Sequence, residues 1–271
     1  MTLRKIKKPS VCLTTYFDDN FKDMGEMCLK SAQKYAEKYG FKIELLNSVK
    51  SNRPVAWNKI LIVKELLEKY DFVFWIDSDA LFVRFDKNIL KEIENGKDFY
   101  LVKHHIRGRL VPNSGSFIIR KSEWSKKFLD DVWNKKEYIY HNYWENAAIV
   151  DILGYKEVMS SNKYKLFFNM IFYKLKIKKF ATKVFNLLKK LLPVKNKIDD
   201  KSIEERNIKM IRYYENPEIM KKVKWLDLEW NNLPGVKGSE AKKPIINHYP
   251  AKPYAERLYK MKQDFKNAKL G

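Results

Sequence analysis

The hydrophobic positions change period along the chain, and each change marks an element. Residues 10–19, "SVCLTTYFDD", hold a short apolar run that ends on hydroxyls and acids, the pattern of a first strand. Next, Phe21, Cys28, Ala32, Tyr35 and Tyr39 recur at helical spacing, which predicts a helix closed by Gly40. "FKIELLN" predicts a second strand. After Pro54, "VAWNKILIVKELLEKY" places Trp57, Ile60, Leu61 and Leu67 on a wide apolar helical face. "FVFWI" is then an unbroken apolar run, as in a strand buried on both faces. Farther on, "DFYLVKHH" and "GSFIIR" predict strands, "SEWSKKFLDDVWNKK" a helix capped by Ser122, and "WENAAIVDILG" a helix followed by Gly154. Trp57, Trp75, Trp124 and Trp133 read as core or helix-face residues, and His104 and His105 as loop residues after a strand.

Strand, helix, strand, helix, strand predicts an α/β domain with a mostly parallel sheet. Ligands of such sheets sit beyond the carboxyl ends of the strands. In "FVFWIDSDALFV" Asp77, Ser78 and Asp79 occupy such an end, as do Thr14, Thr15 and Tyr16 if the first strand runs alongside. A strand that merely stops at the surface usually has a turn former, and none is present here. Two carboxylates one residue apart suit a hard divalent cation completed by water and phosphate oxygens.

Two chemistries use this arrangement. One is transfer from a nucleotide sugar, with the metal on the diphosphate. The other is a phosphatase of the haloacid-dehalogenase kind, with Asp77 as nucleophile and Asp79 as general acid. The phosphatase expects its strand near the N-terminus, Thr or Val after the second acid, and a late acid pair closing another apolar strand. Here 76 residues precede Asp77, Ala80 follows Asp79, Asp130–Asp131 falls in a helical pattern, and Asp199–Asp200 follows a lysine-rich stretch.

The blocks "WNKILIVKELLEKYDFVFWIDSDALF", "NSGSFIIR", "WENAA" and "INHYPAKPY" follow one another as in a known pattern. Over residues 10–157 and 225–262 the sequence resembles the retaining GT-A glycosyltransferases of the galactosyl-, xylosyl- and mannosyltransferase family of plants and fungi. More distantly it is similar to glycogenin-like and bacterial lipopolysaccharide transferases. The resemblance implies a Rossmann-like GT-A domain in which Asp77 and Asp79 hold manganese or magnesium, Asp79 the more directly, and His248 completes the metal site. Lys252 would meet the donor diphosphate, Thr14, Thr15, Tyr16 and Ser78 would line the nucleotide site, and Lys59 would also reach the donor. Asn113, Ser114 and Gly115 match the family's Asn-x-Gly beside the sugar. Glu145 falls on the acidic position of an Asp-Gln motif, which this chain writes as Glu145–Asn146. Trp144 beside it would contact the acceptor, and Trp230 and Asn231 would lie nearby. Glu145 and Asn113 would then stabilise an oxocarbenium-like state, and a sugar would pass from a nucleotide diphosphate to a glycan or glycolipid with retained configuration.

Composition adds a second theme. The net charge is +22, with 45% hydrophobic and 14% aromatic residues, so the chain has the apolar content of a folded protein and a strongly basic surface. No zinc-finger or ribonucleoprotein motif supports nucleic acid as the partner. No acid occurs between Glu157 and Asp199, and Phe180, Val184, Leu187, Leu188 and Leu191 recur at helical spacing before Pro193. That predicts a lysine-rich amphipathic insertion at 158–224, suited to peripheral contact with an anionic membrane, between a catalytic core at 1–157 and its C-terminal part at 225–271. A non-catalytic basic binding protein on the same scaffold is the reading outside catalysis. Two cysteines, Cys12 and Cys28, give no disulfide framework. With no signal-like or membrane-spanning segment, they predict a cytoplasmic protein, peripheral on the membrane's cytoplasmic face.

Overall fold

Strand β3 (Phe72–Ile76) is buried at every position, as its unbroken apolar run predicts. The computed structural model describes residues 8–46, 48–49, 51–106, 109–155 and 215–270, with 166, 169–171 and 173. In it β3 lies parallel to β1 (Val11–Thr14), which lies parallel to the two-residue β2 (Lys42–Ile43). On its other side β3 pairs antiparallel with β6 (Arg109–Arg120). β5 (Phe99–Ile106) pairs antiparallel with β6 and parallel with β7 (Val223–Leu226), giving the order β2-β1-β3-β6-β5-β7. Every strand except β6 therefore points the same way, and the carboxyl ends of β1, β3 and β5 open on one edge.

The alternation of β3 builds two layers. Val73 and Trp75 face a core shared with α2 (Asn58–Lys69), α3 (Glu123–Asn134) and α4 (Trp144–Ile152). Phe72, Phe74 and Ile76 face the other core, with Cys28, Ala32 and Tyr35 of α1 (Lys22–Tyr39). Each fully buried large apolar side chain contributes about 1.5–3 kcal/mol. The predicted ends hold: Gly40 closes α1 at φ 69°, where a side chain is strained, and the Ser122 hydroxyl accepts from the Ser125 amide at 3.1 Å. Both cysteines are buried free thiols.

After Asp79 the chain forms β4 (Ala80–Phe82), which pairs antiparallel with β8 (Ile246–His248) in a second, two-stranded sheet. The C-terminal helix α5 (Tyr254–Asn267) lies over this sheet and α1, where Met24, Leu81, Tyr249 and Met261 form a small third core. The expected helical stretch from 180 to 191 lies outside the described residues, as does the rest of the insertion at 158–224 apart from 166, 169–171, 173 and 215–224. The chain returns to the domain before residue 225, because Val223–Leu226 is β7. No helix of the described residues is long and apolar enough to cross a membrane.

Candidate active site

Asp77 and Asp79 follow β3 directly. In the antiparallel ladder of the small sheet Ala80 stands opposite His248, so the second sheet delivers the late histidine to the acid pair. One ligand atom from each of Asp77, Asp79 and His248 lies within 4.8 Å of the others. His248 Nε2 is 3.3 Å from Asp79 Oδ1 and 3.9 Å from Asp77 Oδ2.

The state of the imidazole follows from a chain of amides. Asn231 Nδ2 donates to the backbone carbonyl of Asn113 at 3.3 Å and to its side-chain Oδ1 at 3.1 Å. Asn231 Oδ1 is therefore an acceptor, and His248 Nδ1, 2.9 Å away, must be the donor. A neutral His248 then turns the Nε2 lone pair towards two carboxylate oxygens. Three acceptors facing one another repel unless a cation or proton lies between them. This donor set, two carboxylates and an imidazole of fixed tautomer, fits a divalent cation such as manganese.

Gly115 makes the approach possible. A Cβ there would stand 2.1 Å from His248 Cε1. The glycine is presented by a wide bulge: Leu101 pairs with Phe117 and the next β5 residue, Val102, with Asn113, so 114–116 have no partner on β5. The bulge is tied down on both sides. Asn113 Oδ1 accepts from the Gly115 amide at 2.8 Å, Asn146 Oδ1 accepts from the Ser114 amide at 2.8 Å, and the Asp77 amide donates to the Gly115 carbonyl at 2.7 Å.

Behind the acids lies a buried lysine. Lys59 Nζ is 2.8 Å from Asp77 Oδ1 and 2.8 Å from Glu145 Oε1, and donates to the Ser114 carbonyl at 3.1 Å. Burial lowers the Lys59 pKa, but Asp77 and Glu145 more than reverse this and hold it charged. Removing one member of such a buried set strands the others, typically at about 3–5 kcal/mol. Burial raises the Glu145 carboxyl, with Lys59 opposing, and its Oε2 has no hydrogen-bond partner. Trp144, immediately before it, adopts φ 42°, a strained backbone for a bulky residue, and is 38% exposed. The turn sends Glu145 inward and leaves the indole at the surface.

The remaining expected residues fall as follows. Thr14 pairs in register with Trp75, which sets the end of β1 beside Asp77, but its hydroxyl donates to the Glu44 carbonyl at 2.7 Å. Thr15 is buried, and Tyr16 and Ser78 are half-buried. Asn146 is committed to the bulge backbone through the Ser114 amide and the Pro112 carbonyl. Lys252 contacts Glu256 at 3.3 Å and the Pro234 carbonyl at 3.5 Å. His104, read as a loop residue, lies in β5 and is fully buried. Asp130 and Asp131, the phosphatase's nearer second pair, sit on α3 in ion pairs with Lys64 and Lys127, away from any strand end.

Two contributors have no sequence signal. Trp75 Nε1 donates to Asp77 Oδ1 at 2.7 Å. Arg257, in the first turn of α5, places Nη1 2.7 Å from Asp79 Oδ2. Burial raises the Asp79 carboxyl, yet the His248 ring, when it carries a proton on Nε2, and the Arg257 guanidinium hold it well below the usual carboxylate range.

Residues 8–104 match the galactosyl transferase GMA12/MNN10 family. An uncharacterized alpha-1,2-galactosyltransferase of Schizosaccharomyces pombe is 28% identical over 42% of this chain and 40% of its own length. Xyloglucan 6-xylosyltransferase 1 of Arabidopsis thaliana is 33% identical over 27% of this chain and 18% of its own. The matched part of the chain thus spans two-fifths or less of these curated relatives. Among solved structures, a glycosyltransferase involved in the glycosylation of the major capsid of PBCV-1 is similar with a TM-score of 0.58 at 12% identity, covering 94% of this chain and 100% of that one. The fold is the GT-A α/β fold, and residues 8–104 carry the sequence pattern of that galactosyl transferase family. The family match includes Asp77 and Asp79 and ends before Asn113, Glu145 and His248.

Proposed function

We propose that this protein transfers a hexose or pentose from a nucleotide-diphosphate sugar to a hydroxyl of a glycan or glycolipid, with a divalent metal and with retention of configuration. The observation that carries the reading is the convergence of Asp77, Asp79 and a tautomer-fixed His248 at the carboxyl end of β3, with Lys59 and Glu145 immediately behind. When bound, manganese or magnesium would neutralise charge developing on the departing diphosphate.

The chain's own groups supply the rest. Asn231 holds His248 in its ligating tautomer. Lys59 holds Asp77 in place and keeps one oxygen of Glu145 engaged, so that the unpartnered Oε2 is the atom available to face positive charge at the anomeric carbon. Asn113, its Oδ1 committed to Gly115 and Asn231, keeps its amide donors for sugar hydroxyls. In front-face attack the bond from anomeric carbon to diphosphate oxygen breaks, the acceptor oxygen bonds to that carbon, and the acceptor proton passes to the departing diphosphate. The indole of Trp144 offers an exposed apolar face to the acceptor.

Thermal melting with nucleotide diphosphates and nucleotide sugars, each with and without manganese, tests this. One nucleotide should raise the melting temperature only when metal is present, and Asp79→Ala should abolish the rise. A phosphate-mimicking fluoride stabilising the protein through Asp77, with no nucleotide effect, would favour the phosphatase instead.

A further inference from the structure

Arg257 sits on the same carboxylate that a metal would use. Asp79 turns Oδ1 to His248 and Oδ2 to Arg257, the guanidinium at 2.7 Å and its side chain only 16% exposed. The guanidinium also lies over the Phe21 ring, 5.2 Å from its centroid. Its Nε is buried with no hydrogen-bond partner. Part of a planar donor fork, the shape that suits phosphate oxygens, thus has no partner within the protein.

The charges of the cluster give this position a consequence. With His248 in its neutral, ligating form, Lys59 and Glu145 cancel, leaving Asp77, Asp79 and Arg257 with a sum of −1. A divalent cation entering alone would turn that sum to +1 in a poorly solvated place. A diphosphate carrying two or more negative charges would return it to −1 or below. Removing the guanidinium would leave −2, which a divalent cation balances by itself.

We propose that Arg257 couples the metal to the diphosphate: it stands in for the cation on Asp79 until metal arrives, opposes metal binding alone, and turns its unused donors to the phosphate oxygens when metal and nucleotide enter together. This rests on the metal-site reading above and adds to it a residue and an order of loading.

The test is titration of the full chain with Mn2+, following the free-ion electron paramagnetic resonance signal, alone and with uridine or guanosine diphosphate, each corrected by a protein-free titration. Wild type should bind Mn2+ weakly alone and on the order of tenfold more tightly with the nucleotide that fits, from the repulsion between a divalent and a single positive charge at short range. Arg257→Gln should bind Mn2+ alone on the order of tenfold more tightly than wild type and gain little from nucleotide. Arg257→Lys should retain the wild-type pattern. A gain in affinity is not something a misfolded variant produces, and melting curves check the fold independently.

If Arg257→Gln binds Mn2+ alone no more tightly than wild type, or keeps the full nucleotide-dependent gain, the coupling role is wrong. If wild type binds Mn2+ equally well with and without nucleotide, the metal site stands and the coupling falls. If no Mn2+ binds to any variant under any condition, the metal-site reading falls and takes this inference with it.

Discussion

At the scale of single residues, the site depends on how closely side chains approach. Gly115→Ala would drive a Cβ into the His248 ring, whose Cε1 is 2.1 Å from that position. The ring is held through Asn231 and is almost fully buried, so it can only leave its place beside Asp77 and Asp79. The expected outcome is a protein with an unchanged far-ultraviolet circular dichroism spectrum that no longer gains melting temperature from manganese. His104 makes a different prediction. Burial, and then the nearby His248, push it down to about 3, and neither ring nitrogen has a hydrogen-bond partner. The unfolded chain takes up this proton near pH 6.5 and the folded protein only near pH 3. Between those values the unfolded state binds more protons, so stability falls as pH drops from 6.5 towards 3. His104→Leu should remove on the order of 3 kcal/mol of the difference in urea stability between pH 7 and pH 4.

The acid pair was legible at this scale because its pattern contradicts a local rule, an apolar strand ending on Asp77 and Asp79 without a turn former. Arg257 was not. An arginine in an amphipathic helix reads as a solvated charge, and its partner lies 178 positions away. Trp75 was correctly read as core, but the hydrogen bond from its indole to Asp77 depends on how the strand end bends.

At the scale of elements, the bulge in β6 positions Asn113 and Gly115, the groups proposed to lie beside the sugar. Asn146→Ala would leave the buried Ser114 amide without its acceptor, lowering stability by about 1–2 kcal/mol in urea unfolding. It should also cut turnover by more than tenfold, because Gly115 and Asn113 would lose their fixed position. Sequence reading found α1 to α4 and the main strands because their apolar periods are long and their caps are explicit. It did not find the bulge, since "NSGSFIIR" has the same alternation whether or not three residues slip their β5 partners. Nor did it shorten "FKIELLN" to two residues; β1 offers only Cys12 and Leu13 as parallel partners there, and the Thr14 side chain takes over at Glu44.

At the scale of the whole molecule, fold class was the most legible property, because alternating strands and helices leave few topologies open. Composition served less well. The lysine-rich character of 158–224 extends into residues that structure assigns to the main sheet, so charge alone misplaced the return of the chain to its domain.

The pairing of β4 with β8 has a consequence for biosynthesis. Ala80 meets His248 across that ladder, so the two acids and the histidine of the proposed metal site come from distant parts of the chain. A ribosome-bound chain could complete β1, α1, α2 and β3 and still lack a metal site, because the histidine, its asparagine support and the arginine on Asp79 all emerge late. Closing so long a loop is slow compared with forming local helices. If the proposed function holds, metal capture would mark the last long-range step of folding, and the nascent protein would be unable to hold a nucleotide sugar until nearly all of these residues had left the ribosome.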